Sequence, residues 1–314
     1  MAREVFRYFT SRQTEGLLGS PTSLWRTTLQ RLLRRLSAIA GMVIVGFLLL
    51  TALAAPLIAP YDPLEVLIGK EDIRKRIAPC IHFLGCPKEQ PQHLMGVDGN
   101  VRDEFSRVVY GARWSLIVGL STVSFAIVVG TTLGAVAGYF GGWGDNVIMR
   151  IMDVLMGFPA LLLAIAIVAV LGPGLINAML AIAIVTIPAY ARVMRASVLT
   201  VKEMDFVAAS RSLGGSTRHI LLTRVLPNAL TPLVVQATLG LATAILDAAA
   251  LSFLGLGAQP PTPEWGTMLG SERNQVFSAP HLVFFPGLAI MVTVLGFNLL
   301  GDGLRDALDP RLHD

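Results

Sequence analysis

The chain has 314 residues, of which 54% are hydrophobic and only 15% charged, and its mean hydropathy is +0.64. A soluble domain carries about 25% charged residues, so this composition excludes one and reads as a polytopic membrane protein. The net charge of +4 is modest, and no basic residues interleave with aromatics in a way that would suit nucleic acid.

Before the first apolar run, Trp25, Leu29, Leu32, Leu33 and Leu36 recur at helical spacing among Arg26, Arg31, Arg34 and Arg35. That pattern predicts an interfacial amphipathic helix. Leu36–Tyr61 then has no charged residue and predicts a first span over 38–59. Ala52-Leu53-Ala54 resembles a signal cleavage site, but the segment ahead of the apolar run is far too long for an ordinary signal. Retention as an anchor is expected.

Trp114–Gly144 predicts a second span over 115–138. Gly130, Gly134 and Gly138 form a small-residue stripe within it, whose default meaning is close helix contact. Val154–Ala191 is 38 residues without a charge. As one helix it would run roughly 57 Å at 1.5 Å per residue, about twice the hydrocarbon thickness. Leu171-Gly172-Pro173-Gly174 in its middle is a turn signal. Two spans are therefore predicted, 152–171 and 175–194. Val225–Leu246 and Asn274–Gly301 predict the last two, 228–251 and 282–301.

Six spans place both termini on one side. Arg3, Arg7, Arg12, Arg26, Arg31, Arg34 and Arg35 precede the first span, and Arg192, Arg195, Lys202, Arg211, Arg218 and Arg224 follow the fourth. The positive-inside rule makes that side cytoplasmic. The organisation reads as a cytoplasmic segment 1–37, a first helix 38–59, an extracytoplasmic loop 60–113, a five-helix core 114–301 with a cytoplasmic loop 195–227, and a cytoplasmic tail 302–314. Within the span residues, Asp153 lies one turn from Arg150 and suggests a snorkelling ion pair. Asp247 has no charged neighbour in sequence; lining a central cavity, a subunit contact and an internal hydrogen bond all remain open for it. Gln236 and Asn298 are weaker translocation-path candidates.

Cys80 and Cys86 are the only cysteines, and both fall in the outward loop. At that spacing outside the cytoplasm they can close a small disulfide loop, or they can remain two thiols. His82 and His93 supply too few ligands for a metal site.

The loop after the fourth span contains Phe206-Val207-Ala208-Ala209-Ser210-Arg211-Ser212-Leu213-Gly214, then Leu226-Pro227. It resembles the coupling loop of ABC importer membrane subunits: Glu-Ala-Ala, three residues, Gly, nine residues, Ile, any residue, Leu-Pro. Ala208 stands in the Glu slot and Arg224 in the Ile slot. His93-Leu94-Met95-Gly96-Val97-Asp98 with Arg102-Asp103, Gly138–Trp143, Leu251–Gly257, Pro261–Gly266 and Asn298–Pro310 extend the resemblance over the chain from about residue 40. Leu94 and Val101 depart from the usual His-Pro-Leu-Gly-Thr-Asp and Gly-Arg-Asp. The family resembled is the second permease subunit of dipeptide, oligopeptide and nickel ABC importers.

The resemblance implies an all-α membrane protein with a type I importer permease fold. It implies coupling to ATPases through Asp205, Phe206, Ala208, Ala209, Ser210, Leu213, Gly214 and Pro227. Asp205 suits a helix start, the small residues suit a close-fitting surface, Gly214 suits the helix end, and Pro227 is expected to start the fifth span. The implied partners are a second homologous permease in a heterodimer, two ATPase subunits, an extracytoplasmic substrate-binding protein and the lipid bilayer. No phosphate loop of the form Gly-x-x-x-x-Gly-Lys-Ser/Thr occurs. The chain is thus expected to bind no cofactor and catalyse nothing, with ATP and Mg in the partner ATPases. The implied cargo is peptide, with nickel or oligosaccharide as family alternatives. The competing class is an ion-driven secondary transporter.

Overall fold

The computed structural model describes residues 32–308. Most of the expected interfacial helix, including Trp25 and Leu29, lies outside the described residues. Among the described residues the regular structure is helical, with only isolated β-bridges. The main helices are α1 (Leu36–Ile58), α2 (Glu104–Phe140), α3 (Gly142–Met156), α4 (Ala160–Leu171), α5 (Leu175–Val201), α6 (Asp205–Ser212), α7 (Thr217–Ile220), α8 (Leu226–Ala229), α9 (Thr231–Phe253), α10 (Trp265–Glu272) and α11 (His281–Leu308).

Five of these, α1, α2, α5, α9 and α11, are long and apolar enough to cross a membrane. The residues read as one continuous third span, 152–171, are instead divided between α3 and α4, which meet at 93°. Counting that bent pair as one crossing gives six. The break falls at Gly157-Phe158-Pro159. Pro159 supplies no backbone N–H and disfavours a helical conformation at Phe158, so the helix stops there. The turn at 172–174 does connect two helices. Gly172 and Gly174 have φ of 90° and 152°, and Asn177 Nδ2 donates to the carbonyls of Leu171 and Gly172 at 3.0 Å.

The centre of the bundle is the α2–α5 contact. Both helices run in the same direction, and their seam repeats every four residues. A Cβ on Gly130 would lie 2.7 Å from Tyr190 Cβ, one on Gly134 2.9 Å from Met194 Cβ, and one on Gly138 3.1 Å from Val198 Cβ. The glycine stripe therefore lets two backbones approach, as its spacing suggests. Around it Tyr190, Met194, Val198, Ile182 and Val123 form the main core. A second core joins α1, α2, α9, α10 and α11 through Val45, Leu48, Ala112, Ile245, Trp265 and Phe297.

Candidate coupling site and translocation-path residues

The coupling segment lies between α5 and α9. Asp205 opens α6, placing an acid in its first turn. Gly214 closes it with φ of 79°. The Gly215 N–H donates to Ser210 O at 3.1 Å and the Gly214 N–H to Arg211 O at 3.0 Å. This is the paired closure of a Schellman motif, which a residue with a Cβ enters at a cost. Val207 is fully buried and anchors the helix in the main core. Phe206, Ala209 and Leu213, at i, i+3 and i+7, turn outward, and Leu213 is 88% exposed. Ala208 is exposed and Ser210 half-buried. The segment thus offers a small apolar stripe held by one core anchor.

Pro227 does not start the fifth span. It lies in α8, directly after a π-helical turn at Leu221–Val225. Pro227 cannot donate to the carbonyl four residues back, and the wider turn absorbs the mismatch. The Leu226 N–H reaches Leu221 O instead, and Asn228 Nδ2 donates to Arg224 O at 2.6 Å. The span itself begins at Thr231, with Pro232 in its first turn.

At the same end of the bundle α3 is tied to α5. Arg195 donates twice to Asp145, at 2.5 and 2.6 Å. Asp153 pairs with Arg192 at 2.5 Å, not with Arg150. The bend after Met156 brings α3 against α5, so a partner distant in sequence takes the place of the local one. Lys202 Nζ caps α2 by donating to Gly138 O at 3.0 Å.

The path candidates occupy α9 and α11. Gln236 and Asp247 are eleven residues apart, which at 3.6 residues per turn returns to nearly the same face of α9. Asn298 on α11 lines an open groove of about 440 Å³ together with Leu246, the neighbour of Asp247. All three are half-buried. Among the described residues, none makes a side-chain hydrogen bond.

The opposite end carries the disulfide that the cysteine spacing allows, together with a polar network that the sequence pattern did not reveal. Cys80 and Cys86 are joined in a disulfide, with Cα atoms 5.4 Å apart. Cys80 also exchanges two backbone hydrogen bonds with His93, of 2.9 and 3.1 Å. His93 is 1% exposed. Its Nδ1 is 2.7 Å from Asp103 Oδ1 and its Nε2 is 3.0 Å from Glu71 Oε2. An ionised carboxylate only accepts, so this pairing of both ring nitrogens favours the protonated imidazolium, which can donate to both. Burial pushes the imidazole down, but hydrogen bonds from the ring to Asp103 and Glu71 and their charge hold it above its ordinary value of 6.5. The other Asp103 oxygen caps α2 by accepting from Ser106 N at 2.8 Å. Asp98 binds Arg102 through Nε at 2.8 Å and Nη2 at 2.7 Å. Val101 departs from the glycine usual in this turn and takes φ of 61°, a left-handed conformation that suits glycine better.

The Pro261–Gly266 motif is likewise structural. Glu264 caps α10, accepting from Gly266 N at 3.0 Å and Thr267 N at 2.8 Å. Burial nevertheless holds its carboxyl above the ordinary range. Trp265 Nε1 donates to Val108 O at 2.9 Å and fits against Gly111. At the end of α10, Glu272 accepts from Arg76 Nε at 2.8 Å and Gly99 N at 3.0 Å, which locks the residue 60–103 segment onto the 257–280 segment.

Comparison with known proteins adds independent support. Residues 130–314 match the family model "Binding-protein-dependent transport system inner membrane component". Residues 23–79 match "N-terminal TM domain of oligopeptide transport permease C". The chain is similar to the dipeptide transport system permease protein DppC of Alkalihalophilus pseudofirmus, 48% identical over 92% of this chain and 91% of that protein. It is also similar to the di/tripeptide transport system permease protein DppC of Pseudomonas aeruginosa, 49% identical over 88% and 89%. The glutathione transport system permease protein GsiD of Pectobacterium atrosepticum is 44% identical over 92% and 91%. An inward-facing structure of the MetNI methionine ABC transporter shares the fold, with a TM-score of 0.54 at 19% identity over 65% of this chain and 97% of that one. A family match over more than half the chain, and relatives this similar over nine-tenths of it, establish that the chain belongs to the binding-protein-dependent transport system inner membrane components, as a multi-pass permease subunit of an ABC importer and not an enzyme.

Proposed function

We propose that this chain forms half of the translocation path of a peptide importer and receives the ATP-driven movement of its ATPases through α6. The carrying observation is the outward stripe of Phe206, Ala209 and Leu213, fixed on the body by buried Val207. An exposed apolar surface on a rigid short helix fits a partner's groove. The partner in this reading is an ATPase subunit, which holds the ATP and Mg that the chain itself does not bind. A second homologous permease completes the path, with Gln236, Asp247 and Asn298 contributing to its wall. A second ATPase grips that permease's own coupling loop.

The Lys and Arg excess supports a cytoplasmic side for both termini and α6. The 60–103 and 257–280 segments then face outward, where a substrate-binding protein docks. The names of the DppC and GsiD relatives support short peptides as cargo. ATP binding draws the ATPases together and moves the coupling helices with them. The path switches because ATP binds the two states with different affinity. Membership of an ABC importer family sets the ion-driven alternative aside.

The double substitution Gly214→Val with Ala209→Glu tests the coupling role. The first forces a β-branched residue into a left-handed turn, and the second puts a charge on the outward stripe. ATP-dependent dipeptide uptake by membrane vesicles is expected to vanish at normal membrane levels of the chain. Unchanged uptake would refute coupling through α6.

A further inference from the structure

We propose that α3 is an arm carried by α5 and the coupling helix α6, with Asp145 and Arg195 as the positioning pair that fixes it there. This role rests on the coupling reading above and adds a moving part to it. Packing anchors α3 poorly. Among the described residues, Met152 is its one buried side chain, while Met149 and Leu155 rest against the main core only in part. Both of its ends are joints. It leaves α2 through Gly141 and Gly142, whose φ values of 67° and 65° suit glycine and around which there is open space. It reaches α4 through the 93° bend at Gly157-Phe158-Pro159. Hinges are built from a few such residues at the ends of elements.

Charge supplies the hold that packing lacks. Arg195 Nε and Nη2 donate to the two Asp145 oxygens at 2.5 and 2.6 Å. A forked contact of this kind fixes direction as well as distance. The Asp145 side chain is only 13% exposed, so water competes little for it. Lys202, a second cation beside Asp145, is occupied on Gly138 O at 3.0 Å. Arg192 and Asp153 make a further, more exposed tie toward the other end of α3. An isolated exposed pair contributes little, but here a fork and a second pair act on one helix. Both arginines lie near the C-terminal end of α5, which passes through residues 202–204 directly into α6. Val207 of α6 is buried in the same core as Met152, Met194 and Val198. The side chains of α1 belong to the other core. A displacement of α6 relative to α1 thus reaches α5 through the chain and the core, and α3 through the ion pairs. Beyond the bend, α4 is drawn along with α3.

The test measures distances between spin labels in the whole importer, held in native-lipid discs, with and without a non-hydrolysable ATP analogue. Labels are placed in pairs by Arg150→Cys on α3, Ser212→Cys on α6 and Leu57→Cys on α1, all exposed positions. The native cysteines are closed in their disulfide and take no label. With both ion pairs intact, the nucleotide should change the distances from α1 to α3 and from α1 to α6 while the α3–α6 distance holds. Asp145→Asn with Asp153→Asn should let the α3–α6 distance spread and shift with nucleotide. Peptide imported per ATP hydrolysed should fall with it, while ATP hydrolysis continues. Asp145→Glu keeps the charge and should keep both the fixed distance and the transport. Arg195→Gln makes the same cut from the α5 side if the double variant inserts poorly. An α6 that moves while α3 stays beside α1 would overturn the arm and leave coupling through α6 standing. An α3–α6 distance that stays fixed in the inserted variants would also overturn it, because the pairs would not be the tie. If neither helix moves relative to α1, coupling through α6 fails and the arm fails with it.

Discussion

The two ends of the helix bundle are built on opposite rules. At the end formed by 60–103 and 257–280, polar groups answer one another: His93 with Glu71 and Asp103, Asp98 with Arg102, Glu272 with Arg76 and Gly99. At the other end α6 leaves Phe206, Ala209 and Leu213 turned to the outside. A buried network fixes shape, because removing one member leaves its partner desolvated and unpaired. An outward apolar stripe adds almost nothing to the fold, and its value lies in a second molecule. Substitutions at the first end should therefore register as lost stability, and those at α6 as lost partnership.

The largest effect is expected from Trp265→Ala. The indole fills the space between α10 and α2, and its N–H satisfies the Val108 carbonyl. Emptying a buried aromatic site costs about 3–5 kcal/mol. Thermal unfolding of the purified chain in native-lipid discs should show a markedly lower midpoint. Trp265→Phe should recover most of it, losing chiefly a hydrogen bond worth about 1 kcal/mol. An unchanged midpoint in Trp265→Ala would mean that the contact of α10 with α2 does not bear on stability.

His93 gives a smaller effect with a definite sign. Its folded-state value is raised above 6.5. The folded form therefore binds the proton more tightly than the unfolded chain does, and this contribution is complete below pH 6.5. It is lost as pH rises through the raised value. Unfolding midpoints measured across that window should fall with pH in the unaltered chain. His93→Gln should start lower and vary less, because the titrating group facing Glu71, Asp103 and Tyr61 is gone. Equal slopes in the two proteins would assign the pH dependence elsewhere.

The contrast between ends also explains what could be read from sequence. Long charge-free runs and the Gly172–Gly174 turn are local signals, and they located the crossings and the hairpin. The Gly214 helix end is local too, since a left-handed closure needs a residue type at one position. The bend at Phe158-Pro159 was also written locally, but the unbroken apolar run masked it. Pro227 misled because the π-turn that accommodates it leaves no residue-type signature of its own. The His93 and Glu272 networks were not legible: Arg76 and Glu272 are 196 residues apart, and only the folded chain brings them together. The same holds for Asp153, whose partner is Arg192 because of the bend.

The smallest change in stability is expected from Leu213→Ala, and it sharpens the comparison most. With Leu213 88% exposed, truncation removes little buried area, and the unfolding midpoint should move by no more than about 0.5 kcal/mol would produce. If α6 seats in an ATPase groove, the same side chain becomes an interface anchor, and truncating an anchor costs over about 1 kcal/mol, roughly a fivefold loss of affinity. Titration of purified ATPase against the chain in native-lipid discs separates the two quantities. A stable variant with weakened ATPase binding is the expected result. A variant that binds ATPase normally would leave Leu213 without a partner there and move the contact to Phe206 and Ala209. A variant that unfolds early would show that the apolar stripe serves this chain's own fold, and the opposition between the two ends would fail.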